Sequence, residues 1–594
     1  MFSLIQIVLV LICIVFSSCG EDFLTKEPPG VLADPQMRTQ RGVEALLTGA
    51  YHQLRANSSY NNAMGTDWTF ASACSDDAYK GSDASDQAPF NLLERYEALP
   101  TNSYMNDRWT ACYEGVARSN RVLFFLKAVQ EGDEPFNAAR ATVIEAEAKY
   151  LRAYYHFSAN RIFKTIPYIR TPDEQDRKTP SEIPNTDAGW SGIEEDLAFA
   201  IANLPPSWTG QPGRVTSWAA KTMLAQAYMY QNRLSDAKPI LDDIIDNGGF
   251  ALVNRYFDNY DERTENNSES IFEIQCAVEG SINTSLGLVG PVAPQYGPAN
   301  FGWGFFQPSH NLFEAHQVDN DGLPVIDPSQ RTPLASDMGI EGAASPFTPT
   351  DHLLDPRVDW SIGRRGIPFL DWGIFAGSSW IRLQSNGGPY MTKKYIHFNA
   401  TRAQQAANQR SNNRNFRYHR LAHVILWRAE VAVEDGDLEL ARQLVNQIRR
   451  RAGNQLVMGY VASTTIALNG RDDHTGAELV IDNSRPAANY LVSEWPQNHP
   501  VFSSKETARE AVRLEIRLEF ATEGQRFFDL RRWGQSSVTP DYDIKVLNDY
   551  IAHDIQVRSF MTGAVYTTKF RYWPIPQSQL DIQPGVLTQD PDYL

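Results

Sequence analysis

Apolar side chains recur at helical spacing through "RVTSWAAKTMLAQAYMYQNRLSDAKPILDDIID", residues 214–246, pause at a short polar turn, and resume. Ala220, Leu224, Ala225 and Tyr228 share one helical face; Ala237, Leu241 and Ile244 share the face of a second helix. Counted from Leu224, these fall at +1, +4, +13, +17 and +20. Small residues at such offsets let two antiparallel helices approach closely. The same pattern, less strictly kept, appears in "HRLAHVILWRAEVAVEDGDLELARQLVNQIRRRAG", residues 419–453. There an acidic, Gly-containing turn separates two helices, and three arginines precede Gly453 as suits a helix C-terminus. "EAEAKYLRAYYHFSANRIF" (145–163) predicts a helix that pairs with "SGIEEDLAFAIANLPP" (191–206) across a Pro-rich insert. "RGVEALLTGAYHQL" (41–54) pairs in the same way with "DRWTACYEGVARSNRVLFFLKAV" (107–129).

The spacing is that of tetratricopeptide units, stacked helix pairs that bury a shared core and grow loops from one side. Between 254 and 400 the helical signal fades, and glycine, proline and aromatics rise around short strand-like runs such as "SIFEIQCAV" and "MTKKYIHF". Residues 454–500 read as polar and irregular. Helix returns in "SKETAREAVRLEIRLEFATEGQRFFDLRRWG" (504–534), with Ser504 or Thr507 as the N-cap.

At the N-terminus, residues 4–16 are apolar apart from Gln6 and stop at "FSSCGED". A run of about 13 residues is too short to span a bilayer but fits the core of a signal peptide. Ser17 and Ser18 supply small residues before a cleavage point, and Cys19 would then be a lipidated N-terminus. Two features run against this: no Lys or Arg precedes the apolar run, and Phe16 stands where Leu is commoner. The competing reading is an ordinary secretory signal with an incidental cysteine. On the lipoprotein reading the chain divides into a signal peptide, 1–18, and one body, 19–594.

The full chain is 42% hydrophobic and carries a net charge of −17, which argues against nucleic acid as a partner. Beyond Cys13 and Cys19 only Cys74, Cys112 and Cys276 remain. They allow one disulfide at most, fit no zinc spacing, and read as buried free thiols.

In combination, these stretches resemble the SusD/RagB family, the outer-membrane nutrient-binding lipoproteins of Bacteroidetes. The resemblance rests on "SSCGEDFL", "AEAKYLRAYYHF", "GRVTSWAAKTMLAQAYMY", "LWRAEVAVEDGDLELARQLVNQIRRRAG", "RLEFATEGQRFFDLRRWG" and "YWPIPQSQLDIQPGVLTQDPDY". "PSHNLFEAHQVDNDGLP" (308–324) also looks like a family segment, with His310 where Thr is commoner. Glu21 and Asp22 resemble the surface-export signal of such lipoproteins. The resemblance implies a mostly α fold: about four tetratricopeptide-like helix pairs in a right-handed superhelical scaffold, with an irregular second half packed on it. In this layout the scaffold occupies mainly 40–250 and 415–453, the irregular ligand side about 254–414, and the C-terminal helix and tail about 454–594. It also implies a non-enzymatic protein without cofactor. Such a protein faces the exterior, captures glycans or in some cases peptides, and delivers them to a SusC-like TonB-dependent transporter.

Sugar rings stack their apolar C–H faces on aromatic rings while their hydroxyls need carboxylates and amides. Two inserts mix these groups: "DWTFASACSDDAYKGSD" (67–83), extended by "LPTNSYMNDRW" (99–109), and "PQYGPANFGWGFFQPS" (294–309). Ligand contact is therefore expected from Trp68, Asp76, Asp77, Tyr104, Tyr296, Trp303 and Phe305. Trp109 reads as core; Trp372 and Trp380 lean the same way, and Arg382 with Lys393–Tyr395 reads as scaffold.

Other constellations point to structure. Glu515, Glu519 and Glu523 share a helical face near Arg513, Arg517 and Arg526, a salt-bridge pattern. His419 and His423 have metal-ligand spacing, but Arg420 stands where a zinc protease needs Glu. "DNDG" (319–322) reads as a structural turn, since Gln317 holds the first position of a calcium loop. No metal is expected. No nucleophile elbow, P-loop or Rossmann pattern is present. A glycoside hydrolase needs only two carboxylates placed by the fold and remains the alternative of another class. A peptide receptor of the same fold and a tetratricopeptide scaffold binding a protein tail complete the alternatives.

Overall fold

The computed structural model describes residues 34–55, 67–276, 303–341, 347–404, 414–461 and 481–594. Among the described residues, six long helices build the first half: α1 (Gln40–His52), α2 (Ser103–Gln130), α3 (Ala138–Asn160), α4 (Trp190–Asn203), α5 (Ser217–Tyr230) and α6 (Leu234–Asn247). Side-chain caps start several of them. Asn102, Asn137 and Thr216 accept hydrogen bonds from the backbone N–H groups of Tyr104, Arg140 and Ala219, satisfying donors that a helix start leaves open.

Each helix packs on the next, from α1 through α6. Ala220, Ala225, Ala237, Leu241 and Ile244 are fully buried, as their spacing requires, whereas Tyr228 is half-buried. Burying Leu241 and Ile244 contributes about 1.5–3 kcal/mol each. Close approach has one strict requirement: a Cβ on Gly115 of α2 would lie 2.4 Å from the ring of Tyr155 on α3.

The fourth pair, α8 (Leu421–Asp435) and α9 (Leu438–Ala452), continues the stack although a long insertion precedes it, because α6 packs directly on α8. The insertion contains α7 (His310–Ala315). Gly436 takes the left-handed conformation between α8 and α9 (φ 88°), and Asp437 caps α9. The C-terminal helices α10 (Lys505–Glu519), α11 (Arg526–Gly534) and α12 (Tyr542–Asp554) follow, with α10 against both α8 and α9 and its N-terminus capped by Ser504.

Among the described residues the strands form four two-stranded antiparallel ribbons. β1 (Ala78–Gly81) pairs with β3 (Phe305–Pro308), and β2 (Ser270–Ile274) pairs with β6 (Phe416–Arg420). β4 (Ile362–Gly363) pairs with β5 (Met391–Thr392), and β7 (Met458–Val461) with β8 (Ile481–Pro486). The strand-like run at 391–398 thus yields only two paired residues. The stretch read as irregular, 454–500, carries the β7–β8 ribbon.

Trp109 lies in the main core, edge-on to Phe163. Trp372 and Trp380 are buried in a smaller cluster with Phe369 and Phe375. Cys74 and Cys112 are buried free thiols; Cys276 is free but only half-buried. Among the described residues no helix is long and apolar enough to cross a membrane.

Candidate functional site

The two aromatic inserts, more than 200 residues apart in sequence, meet in the β1–β3 ribbon, where Ala78 faces Pro308 and Gly81 faces Phe305. The crossing is tight. Ser82 N–H donates to the Gly304 carbonyl at 2.6 Å, and Gly81 and Gly304 both take positive φ (81° and 72°). A Cβ on Gly81 would sit 2.4 Å from that carbonyl, so glycine is required there.

Behind the ribbon runs a line of rings. Trp68 stacks on Phe306 (5.4 Å, 27°) and tilts against Phe90; Phe306 stacks in turn on Tyr395 (5.8 Å). Phe306 holds a left-handed backbone (φ 58°), strain that the surrounding packing must over-determine. The ribbon is fixed to α12 from below: Tyr79 Oη donates to Asp554 at 2.6 Å, and the Arg558 guanidinium lies 3.6 Å from the Tyr79 ring centre. Arg558 also pairs with buried Glu94.

This arrangement changes the roles expected of several residues. Trp68 is 2% exposed, Tyr104 1% and Phe305 fully buried. Tyr104 donates its hydroxyl to Gln87. Asp76 receives a bidentate contact from Arg526 (2.8 and 3.0 Å) and a further one from Arg517, which also reaches Asp77 at 2.9 Å. As placed, these five side chains offer no face to a ligand. The aromatic and carboxylate groups that seemed fit for a sugar build the floor of the insert platform and tie it to α10 and α11.

Burial raises the Asp76 carboxyl, but Arg517 and then Arg526 outweigh it and hold the group down at about 2. Asp77 goes the other way: burial pushes it up more than Arg517 lowers it, and Asp76 adds to the rise. Tyr296 and Cys19 lie outside the described residues. Trp303, just before β3, is half-buried and packs against the main core.

The open edge of the platform is built around Ser82. Arg382 donates to Ser82 Oγ at 2.9 Å and to Asp86 at 2.6 Å, and pairs with Asp83. All three charged side chains remain partly exposed, between 19% and 28%. Slight burial raises Asp83, but Ser85, the backbone N–H groups of Ser85 and Asp86, and Arg382 outweigh it and hold the carboxyl below the usual carboxylate range. Asp83, Asp86 and Arg382 thus set two carboxylates and a guanidinium at one partly exposed edge, and the Ser82–Gly304 bond brings the backbone next to Trp303 up to it. Arg382, read as scaffold, does join loops, yet it also reaches this edge. No local pattern around "WIRLQS" marks that, because its partners lie some 300 residues away.

The tempting alternatives resolve into internal structure. Glu519 is fully buried and paired with Arg357, Arg420 and Arg451; Glu515 pairs with Arg357 and Arg449; Glu523 pairs with Arg420 and Lys394. The network is real, but its cations come from other elements. Arg513 turns to Glu510, and Arg517 and Arg526 turn to the first insert. His419 hydrogen bonds Gln226, and His423 contacts Gln525 and stacks on Phe520 at 4.0 Å. Asp319 accepts from the backbone N–H groups of Asp321 and Leu323, closing the "DNDG" turn internally. Lys393 and Lys394 are buried and engaged by interior carbonyls and Glu523.

With this geometry in view, comparisons with known proteins are informative. A family model described as the SusD family matches residues 268–593, more than half of the chain. A second, described as starch-binding associating with outer membrane, matches residues 22–229. The chain is similar to a SusD-like protein, P25, of Formosa agariphila, 23% identical over 600 residues and covering 99% of this chain and 98% of that one. It shares its fold with a SusD superfamily protein of Bacteroides vulgatus (TM-score 0.64, 22% identity, 93% of this chain and 99% of that one). The same holds for surface glycan-binding protein A of Bacteroides thetaiotaomicron in complex with laminarihexaose (TM-score 0.62, 20% identity, 93% and 99%). Four stacked helix pairs, an insert-rich half packed on them and the match over 268–593 lead to one conclusion: the chain belongs to the SusD family.

Proposed function

We propose that this protein is a cell-surface lipoprotein, anchored in the outer membrane through Cys19, that binds an oligo- or polysaccharide and delivers it to a SusC-like TonB-dependent transporter. It does so by reversible binding, without catalysis and without a cofactor. The observation that carries this reading is the meeting of the two aromatic inserts in the β1–β3 ribbon, which ties the backbone at Gly304, next to Trp303, to Ser82 beside the partly exposed cluster of Asp83, Asp86 and Arg382. Family membership supports it, as do relatives described as a laminarin-binding SusD-like protein and as surface glycan-binding proteins. On this reading Trp303 and Tyr296 supply stacking surfaces, and the rim carboxylates and Arg382 hydrogen bond to hydroxyls. Trp68, Asp76, Asp77, Tyr104 and Phe305 serve the ligand indirectly by holding the platform.

The test is native affinity electrophoresis of the body that begins after Cys19, through gels holding different polysaccharides. Each retarding glycan is then incubated with the protein and assayed for new reducing ends. Retardation without cleavage is the expected result. Cleavage would establish a glycoside hydrolase, and retardation by no glycan would shift the reading to peptides.

A further inference from the structure

Asp83 and Asp86 each make two kinds of bond. Their carboxylates meet Arg382 at the partly exposed edge. Their backbone carbonyls accept hydrogen bonds from the Lys80 ammonium, at 2.7 and 2.6 Å. Lys80 is fully buried. It stands in β1, where successive side chains alternate between faces: Tyr79 goes to Asp554 of α12, and Lys80 goes to the loop Ser82–Asp86. The Phe305 ring lies 6.0 Å from the ammonium, and the Lys80 backbone N–H donates to Glu94 at the end of the short helix Ala88–Glu94. Glu94 is itself paired with Arg558.

A buried ammonium is costly unless its donors are satisfied. Burial lowers Lys80 below its ordinary value, against the pull of Glu94, Asp86 and Asp83. An apolar side chain would fill the same space without that cost. What the ammonium supplies is a tie to the loop. The chain leaves β1 through Gly81 and Ser82, both at positive φ (81° and 57°), and enters the following helix through Gln87 (55°). Between them Asp83 accepts from Ser85 N–H, Ser85 Oγ and Asp86 N–H, a turn closed on itself. Asn91 holds Ala84 from the helix side. Lys80 holds the two residues whose carboxylates form the edge.

We propose that Lys80 is the positioning residue of this edge, an inference that rests on the glycan-binding reading above. By bridging the carbonyls of Asp83 and Asp86 it fixes the backbone from which both carboxylates project. The edge therefore keeps its shape when the Arg382 side chain, 28% exposed, turns from the acids to a sugar hydroxyl. Lys80 touches no ligand and acts through the two acids.

Deuterium exchange of the ligand-free chain, followed by mass spectrometry, reads the tie directly. In Lys80→Met the peptide Ser82–Gln87 should exchange about tenfold faster. Ala71 and Ala73 on the platform floor, hydrogen-bonded to Asp67 and Trp68, should keep their wild-type protection. Calorimetry with the polysaccharide that retards the wild type most strongly reads the consequence. Lys80→Met and Asp86→Asn should each weaken binding about tenfold, and the double variant less than about twofold further, because both act through one loop. Lys80→Gln keeps a donor without the charge; it should lie between wild type and Lys80→Met, and it decides the matter if Lys80→Met does not fold. Loop exchange at the wild-type rate in both variants would overturn the proposal. So would faster exchange spread equally over the floor, which makes Lys80 an ordinary core residue, or additive losses in the double variant. A wild type that binds no glycan would instead refute the binding reading, and the exchange arm would still decide whether Lys80 holds the loop.

Discussion

Replacing Asp76 by Asn removes one charge from a buried cluster that joins the first insert to the C-terminal helices. Asp76 is 1% exposed and accepts two bonds from Arg526, whose side chain is 8% exposed, and one contact from Arg517. Two routes give the magnitude. A carboxyl that moves from its ordinary value near 3.8 to about 2 on folding contributes about 2–2.5 kcal/mol at neutral pH, at 1.36 kcal/mol per unit. Breaking one partner of a buried pair costs about 3–5 kcal/mol, with the lower end apt here because the amide oxygen still accepts a hydrogen bond. A loss of about 2–3 kcal/mol follows. With an unfolding entropy of about 2.1 cal/mol/K per residue, a chain of 594 residues melts about 1.5–2.5 °C lower.

The pH dependence is specific. The folded group is depressed, so its contribution is present above the unfolded value and lost as pH falls through about 2. The gap between wild type and Asp76→Asn should be full at pH 7 and narrow below pH 4. Asp77 is shifted upward by burial, so Asp77→Asn should cost distinctly less at pH 7. Thermal melts of both variants at pH 7 and pH 3 are the assay. An Asp76→Asn protein that melts with wild type at pH 7 yet loses glycan affinity would refute the reasoning and restore Asp76 as a ligand contact.

The tryptophans divide in the opposite sense. Trp68→Ala, in a packed ring stack, should destabilise by about 3–5 kcal/mol while the folded protein keeps its glycan affinity. Trp303→Ala should cost less stability than Trp68→Ala, because its side chain is only half-buried, and weaken glycan binding about tenfold, the worth of one ring stack at about 1–1.5 kcal/mol. Gly115→Val should destabilise by about 1–3 kcal/mol through overpacking, because the added Cβ meets the Tyr155 ring; denaturant melts will report it. Burial, aided by Arg420, lowers His423 to about 3, and burial lowers His316 to about 4. Both therefore stay neutral in the fold while their unfolded counterparts charge below about pH 6.5, and stability should fall as pH drops from 6.5 towards 4. His423→Gln should flatten that limb of the melting-temperature profile.

The helix pairs were legible because tetratricopeptide packing is local. Ala220, Ala225 and Ala237 announce close approach within a few turns of each other, and each is buried. Even the fourth pair could be read, since its helix pattern does not depend on the insertion before it. The platform was not legible for the opposite reason. β1 and β3 are four residues each and find one another across more than 200 positions, too short and too distant for periodicity to reveal. Trp68, Tyr104 and Phe305 show how composition misleads in such a region. A loop-rich half must build its own core from the same rings and polar groups that a sugar site uses. The fate of Asp76 and Asp77 depends on Arg517 and Arg526, some 440–450 residues away. The salt-bridge reading of Glu515, Glu519 and Glu523 was sound in kind, since three acids on one buried face must be neutralised. The neutralising cations, Arg357, Arg420, Arg449, Arg451 and Lys394, come from four separate stretches that no local pattern connects.

The most direct test of the central claim is titration calorimetry of the most strongly retarding glycan into wild-type protein and Trp303→Ala, with reducing ends measured before and after. The account predicts saturable binding by the wild type, about tenfold weaker binding by the variant, and no new reducing ends in either. Equal affinity in the two proteins, or release of reducing ends by the wild type, would contradict it.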